Sequence, residues 1–158
     1  MKHTFTEYGV TVVNGELVEQ AGIEKEYNFT LKNNGLKLFE QEFGKPLIKA
    51  LTKILQTVDI NKLQSMTEDS DVSDVIIATD GLIDDKFIRA LACASYNKIE
   101  DNKAINNEQT VEEFKNSFVY DAMLTDIKFI TELLNMAVSC IFEETKKQNN
   151  QSKRKVKN

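Results

Sequence analysis

Reactive side chains are scarce in this sequence, and their spacing limits the chemistry open to it. His3 is the single histidine and falls in what reads as an exposed N-terminal segment, so a Ser-His or Cys-His couple has only this base to draw on. Cys93 and Cys140 each lie inside an apolar helical pattern; two buried thiols are expected rather than a disulfide. The sequence has no Gly-rich phosphate cradle, no Cys-x-x-Cys pair and no His-based metal spacing. In TEDSDVSD (67–74), Asp69, Asp71 and Ser73 have the alternate spacing of a calcium loop. However, Asp74 stands where that loop needs glycine, and Asp80 where it needs a bidentate glutamate. The segment reads instead as an acidic linker capping a helix over 75–78. Asp84-Asp85 and Glu112-Glu113 are carboxylate pairs of the kind helix starts favour, and Glu40 and Glu42 suit a solvated helix face. No catalytic, cofactor-binding or metal residue is therefore expected, and no enzyme.

Residues without chemistry must then explain themselves through the elements they build. Residues 8–13, YGVTVV, read as a strand, and Asn14-Gly15 is a strong hairpin signal. The return partner is either Glu16 to Gln20 or the alternating Tyr27, Phe29, Leu31 strand. Asn33-Asn34-Gly35 breaks that strand, and the period changes. Leu36, Phe39, Glu40 and Phe43 recur at helical spacing, Gly44 suits the helix end, and Pro46 starts a second helix carrying Leu47, Ile48, Leu51, Ile54 and Leu55. Asp59 caps a short turn through Leu63 and Met66. Thr79-Asp80-Gly81 is another break, followed by a helical run over 86–99 with Phe87, Ile88, Leu91, Ala94 and Ile99 on its apolar side. Residues 100–109 read as a polar loop, and Thr110 to Glu113 as a capping box leading into Phe114 and Phe118. The longest helix is expected over 125–146, with an apolar face wider than one packing layer requires. Such a helix is either the central rod of the domain or half of an interface with another chain.

The fold class this predicts is α+β, mainly α: a small N-terminal antiparallel hairpin or sheet packed on a bundle of about five helices. One globular domain is expected over 1–145, with residues 1–32 forming the hairpin region and 33–145 the helical part. Hydrophobic content of 41% and charged content of 28% fit a soluble globular chain. No apolar run approaches the roughly 20 residues that cross a bilayer. The N-terminus lacks the apolar core of a signal peptide, so a cytoplasmic protein is expected. The net charge of −5 is unevenly placed: residues 146–158 hold six basic residues and no acidic one. The body is left with 14 basic against 25 acidic residues, a net of −11. Phosphate repulsion makes such a body a poor nucleic-acid binder. The tail 146–158, low in apolar content, is expected to be disordered.

Phe29, Leu31, Leu36, Phe39, Glu40, Phe43, Gly44, Lys45 and Pro46 make up an extended segment, a helix of the form aliphatic-x-x-aromatic-Glu-x-x-aromatic-Gly, and a Pro-started helix. In that order the chain resembles the phage tail assembly chaperones, over roughly residues 25–143. The resemblance implies a small, mainly helical, cytoplasmic protein that coats the aggregation-prone tape-measure protein while the tail tube polymerises. It also implies self-association or several copies per client, and a frameshifted longer form to which the Lys146-Lys147 pair would be suited. Residues 1–22 depart from the family pattern. The partner-binding surface expected on this reading is Phe129, Leu133, Met136 and Cys140 on the wide helix, with Phe39 and Phe43 nearby. The alternative is a small regulatory or anti-host module whose basic tail binds RNA or an acidic partner.

Overall fold

The computed structural model describes residues 1–57 and 72–140. The expected turn after Asp59, most of the acidic stretch 67–74 and the basic tail 146–158 lie outside the described residues.

The chain begins with one long antiparallel hairpin. Strand β1 (Lys2–Glu7) pairs with β4 (Ile23–Phe29) from Lys2↔Asn28 to Glu7↔Ile23. Strands β2 (Val10–Val13) and β3 (Glu16–Glu19) continue the same ribbon from Val10↔Glu19 to Val13↔Glu16. Both candidate return strands are therefore used, each by a different partner. Between the two halves Tyr8 alone faces Ala21 and Gly22, which is the two-against-one count of a β-bulge. Asn14 and Gly15 close the tip with φ of 56° and 85°. A two-residue turn of that hand matches the twist of the strands, and only residues tolerant of positive φ can form it.

Two further strands extend the sheet to the order β1-β4-β5-β6. They replace the end of the expected 86–99 helix and part of the expected polar loop. Helix α4 (Asp85–Ser95) passes directly into β5 (Tyr96–Glu100), because Asn28↔Asn97 and Phe29↔Tyr96 pairing captures the segment. Tight turning at Asp101 and Asn102, both with positive φ, returns the chain as β6 (Lys103–Ile105).

Helices cover one face of this sheet. Helix α1 (Asn33–Phe43) starts at the Asn33-Asn34-Gly35 triplet that composition suggested as a break, and ends where Gly44 donates to the Glu40 carbonyl. Gly35 is required by closeness: a Cβ there would run into the Ala94 carbonyl oxygen of α4. Helix α2 (Leu47–Thr57) follows, burying Leu47, Leu51 and Ile54, while Ile48 is exposed. Helix α3 (Val72–Ala78) leads through a turn held by the buried Thr79 hydroxyl, which accepts from the Ile83 N–H. Asp84 then caps α4, accepting from the Phe87 N–H at 2.8 Å. Helix α5 (Glu108–Lys115) is capped one turn earlier than expected. Asn107 is the cap and Thr110 its reciprocal partner, so Thr110 sits inside the helix. Short α6 (Val119–Ala122) and a 3₁₀ turn (Met123–Thr125) precede α7, helical over 127–140. The architecture is α+β, mainly α.

One continuous core runs from Phe5 to Ala137. Its centre is aromatic. Phe29 meets Phe129 at 4.9 Å between centroids and Phe114 at 6.0 Å, Phe5 meets Phe129 at 5.1 Å, and Tyr96 stacks on Phe114 at 4.6 Å. Such edge and offset contacts add to the burial of large rings. The wide apolar face of α7 is explained here. Ile127, Phe129, Ile130, Leu133 and Ala137 are buried, so the helix acts as the central rod under the sheet.

Candidate interaction surface

His3 is not exposed, contrary to the reading from sequence. Pairing of β1 with β4 turns His3 and Phe5 to the same inner face, leaving His3 only 8% exposed. Its Nε2 lies 2.8 Å from Asp126 Oδ2 and its Nδ1 3.2 Å from Glu132 Oε2. The ring is flanked by Phe5 and Phe129. Asp126 also caps α7, accepting from the Phe129 N–H at 2.9 Å. Both ring nitrogens are thus taken up by carboxylates of α7 and its cap. The cluster ties β1 to the first turns of α7.

Other titratable groups serve similar ties. Lys115 reaches Glu42 at 2.7 Å and Glu112 at 3.2 Å, joining α5 to α1. These acceptors hold the ammonium above its usual lysine range. Lys98 bonds Glu113 and Glu100, and is raised for the same reason. Arg89 lies over the Tyr120 ring and bonds the Tyr120 carbonyl and Asp121. Cys93 is buried in α4, and desolvation pushes its thiol up to about 12, the opposite of what a nucleophilic cysteine needs. Neither Cys93 nor Cys140 is in a disulfide, and no group of metal-ligating side chains occurs among the described residues. A shallow cavity of about 210 Å³ lies between Thr30, Asn34, Asn97 and Asn106. There Asn97 donates to the Thr30 and Ser95 carbonyls while its own Oδ1 has no protein partner.

The six residues expected to bind a partner do not form an exposed strip. Phe39 is fully buried and packs with Phe43 against Phe87. Phe129 and Leu133 are buried, Phe129 against His3, Phe5 and Phe29 of the sheet. Phe43, Met136 and Cys140 are half-buried against it. Packing of the protein's own sheet uses most of the face that looked spare.

Spare apolar surface occurs instead on the outer half of the hairpin. Tyr8, Val10, Val12, Val13, Leu17, Val18 and Ile23 are all exposed, with Val12 at 65% and Leu17 at 78%. Directly opposed residues share a face. Val10, Val12 and Leu17 thus line one side of the ribbon, and Val13 and Val18 the other. From the bulge to the turn the arm reaches about 20 Å, at roughly 3.3 Å per residue. Composition alone could have found this arm. Residues 8–23 contain no Lys or Arg and no proline; the expected packing of the N-terminal hairpin on the helices is met by its inner half, where Phe5 and Phe29 are buried, and not by this outer half.

Compared with protein-family models, curated proteins and solved structures, the chain matches none. Among the described residues no helix is long and apolar enough to cross a membrane.

Proposed function

We propose that this protein is a non-enzymatic assembly chaperone acting in the cytoplasm of an infected cell. Its client is the tape-measure protein of a phage tail, held by apolar helical segments until the tail tube closes around it. The exposed apolar arm β2–β3 on an acidic body is the observation that carries this reading. Client helices gain by covering Val10, Val12 and Leu17, while the net charge of −11 on residues 1–145 keeps the complex apart from its neighbours in solution. Support also comes from the order of elements over 27–55, where strand, Gly44-terminated helix and Pro46-led helix follow the pattern of that family. Several copies lining one long client is the arrangement that fits a small binder.

Co-expression with the large coiled-coil product of a neighbouring gene, followed by pull-down, tests the reading. Wild type retains the client at micromolar concentration, and a Val12→Asp/Leu17→Asp double variant releases it. Retention by the double variant, or no complex with wild type, rejects the arm as the client site. Deleting residues 146–158 separates the alternative. Client binding survives the truncation if the arm is responsible, whereas salt-sensitive binding lost with the tail favours an RNA or acidic-partner module.

A further inference from the structure

A two-stranded ribbon standing alone in water is marginal, and among the described residues β2 and β3 pair only with each other, with Val10, Val12 and Leu17 exposed on one face and Val13 and Val18 on the other. Gln20 donates to the Gly9 carbonyl at 2.8 Å, which marks Gly9 and Gln20 as a hydrogen-bonded pair. Alternation along an antiparallel ladder then assigns the inward bonds to Thr11–Val18 and Val13–Glu16. Val10 and Val12 are left with their N–H and C=O groups turned away from β3.

Unpaired edges are normally blunted by charge, proline or brevity. The outer edge of β1 carries Lys2 and Glu7, that of β3 carries Glu16 and Glu19, and β6 is three residues long with Lys103 at its start. Strand β2 is Val-Thr-Val-Val, four residues with neither charge nor proline. Its first triplet, Val10-Thr11-Val12, also reads the same in both directions.

We infer that β2 is a dimer seam, pairing antiparallel with β2 of a second copy of this chain about a two-fold axis at Thr11. In this register Val10 of one protomer faces Val12 of its partner in a fully hydrogen-bonded pair, and the two Thr11 side chains meet on the axis. Four backbone bonds close the seam, using the groups left outward in the monomer. The product is a four-stranded sheet, β3-β2-β2-β3, with Val10, Val12 and Leu17 of both copies on one face. Symmetric pairing of this kind closes on itself, and Glu16 and Glu19 on both outer edges oppose further growth. A seam through β3 would crowd four carboxylates into a short ribbon with no basic residue between 8 and 23. The β2 seam goes beyond client binding and stands whether or not the tape-measure reading does, since it is measured on the protein alone.

Sedimentation of the full chain at about 100 μM, a concentration that populates even small interfaces, reads it directly. Wild type is expected to approach twice the 18.0 kDa chain mass. Thr11→Lys and Thr11→Glu each place like charges on the axis and should sediment as monomers, while their equimolar mixture restores a dimer. Unchanged circular-dichroism melts show that the variants keep their fold, as expected for a position on the outer arm. A monomeric wild type, a Thr11→Lys chain that dimerises like wild type, or a mixture that stays monomeric each overturns the seam.

Discussion

The inner and outer halves of the N-terminal hairpin have the same strand pattern and opposite surroundings. In the inner half, His3, Phe5, Tyr27 and Phe29 point at helices and are buried or half-buried. In the outer half, Val10, Val12 and Leu17 alternate in the same way and stay exposed. The bulge at Tyr8 divides the two. Alternation reports which residues share a face; whether that face is covered depends on elements far away in sequence. An apolar strand face is thus a fold determinant at one end of this ribbon and an exposed surface at the other.

Substitutions under the inner half should be the most damaging. Phe129→Ala removes the ring that touches Phe5, Phe29 and His3, with an expected loss of about 3–5 kcal/mol in chemical denaturation. If the loss is below about 1 kcal/mol, α7 is not the rod beneath the sheet.

His3→Ala leaves Asp126 and Glu132 facing the space the imidazole filled. Both carboxylates keep some access to water, so a loss of about 1–3 kcal/mol is expected. A cycle with Glu132→Gln should show coupling above about 0.5 kcal/mol; additive effects would mean that His3 acts by packing alone.

Alkaline stability probes the same core. The Cys93 thiol moves from 9.0 to about 12 on folding, so the folded state holds its proton longer than the unfolded chain. Stability is then unaffected below pH 9 and falls as pH rises through that window. A melting temperature followed from pH 8 to 10.5 should decline faster for wild type than for Cys93→Ala, and equal slopes would show the site to be wetter than its burial indicates.

The smallest effect on stability is expected from the outer half. Val12→Thr with Leu17→Thr should shift unfolding by no more than about 0.5 kcal/mol, as for other exposed sites, while weakening client capture. A large loss of stability would mean that the arm packs on the body, and the contrast between the halves would disappear.

Much of the fold was legible where local signals are strong. Gly44 and Pro46 punctuate α1 and α2, Asn14-Gly15 marks the turn, and the apolar stripe of α7 announces a long helix. Less visible were β5 and β6. Tyr96 to Glu100 continues a helical pattern from Ala90, and only pairing with Asn28 and Phe29, some 67 positions earlier, makes it a strand. The capping box at Asn107 was shifted by three residues because Thr110 satisfies the same motif at either position. His3 was misplaced for a related reason: a strand at the start of the chain shows its inner face only once β4 is beside it. The sequence points to the most apolar helix as the interaction surface, yet Phe129 and Leu133 are buried. Apolar width alone does not tell whether the sheet above will cover it.

The His3 tie also sets an order of events. Its two acceptors lie 123 and 129 residues along the chain, so during synthesis the first strand waits for almost the last described element. Folding dominated by such distant contacts is slow. Until α7 emerges, the inner face of β1 is as bare as the outer arm remains afterwards, and a nascent copy is most exposed to wrong partners at that stage.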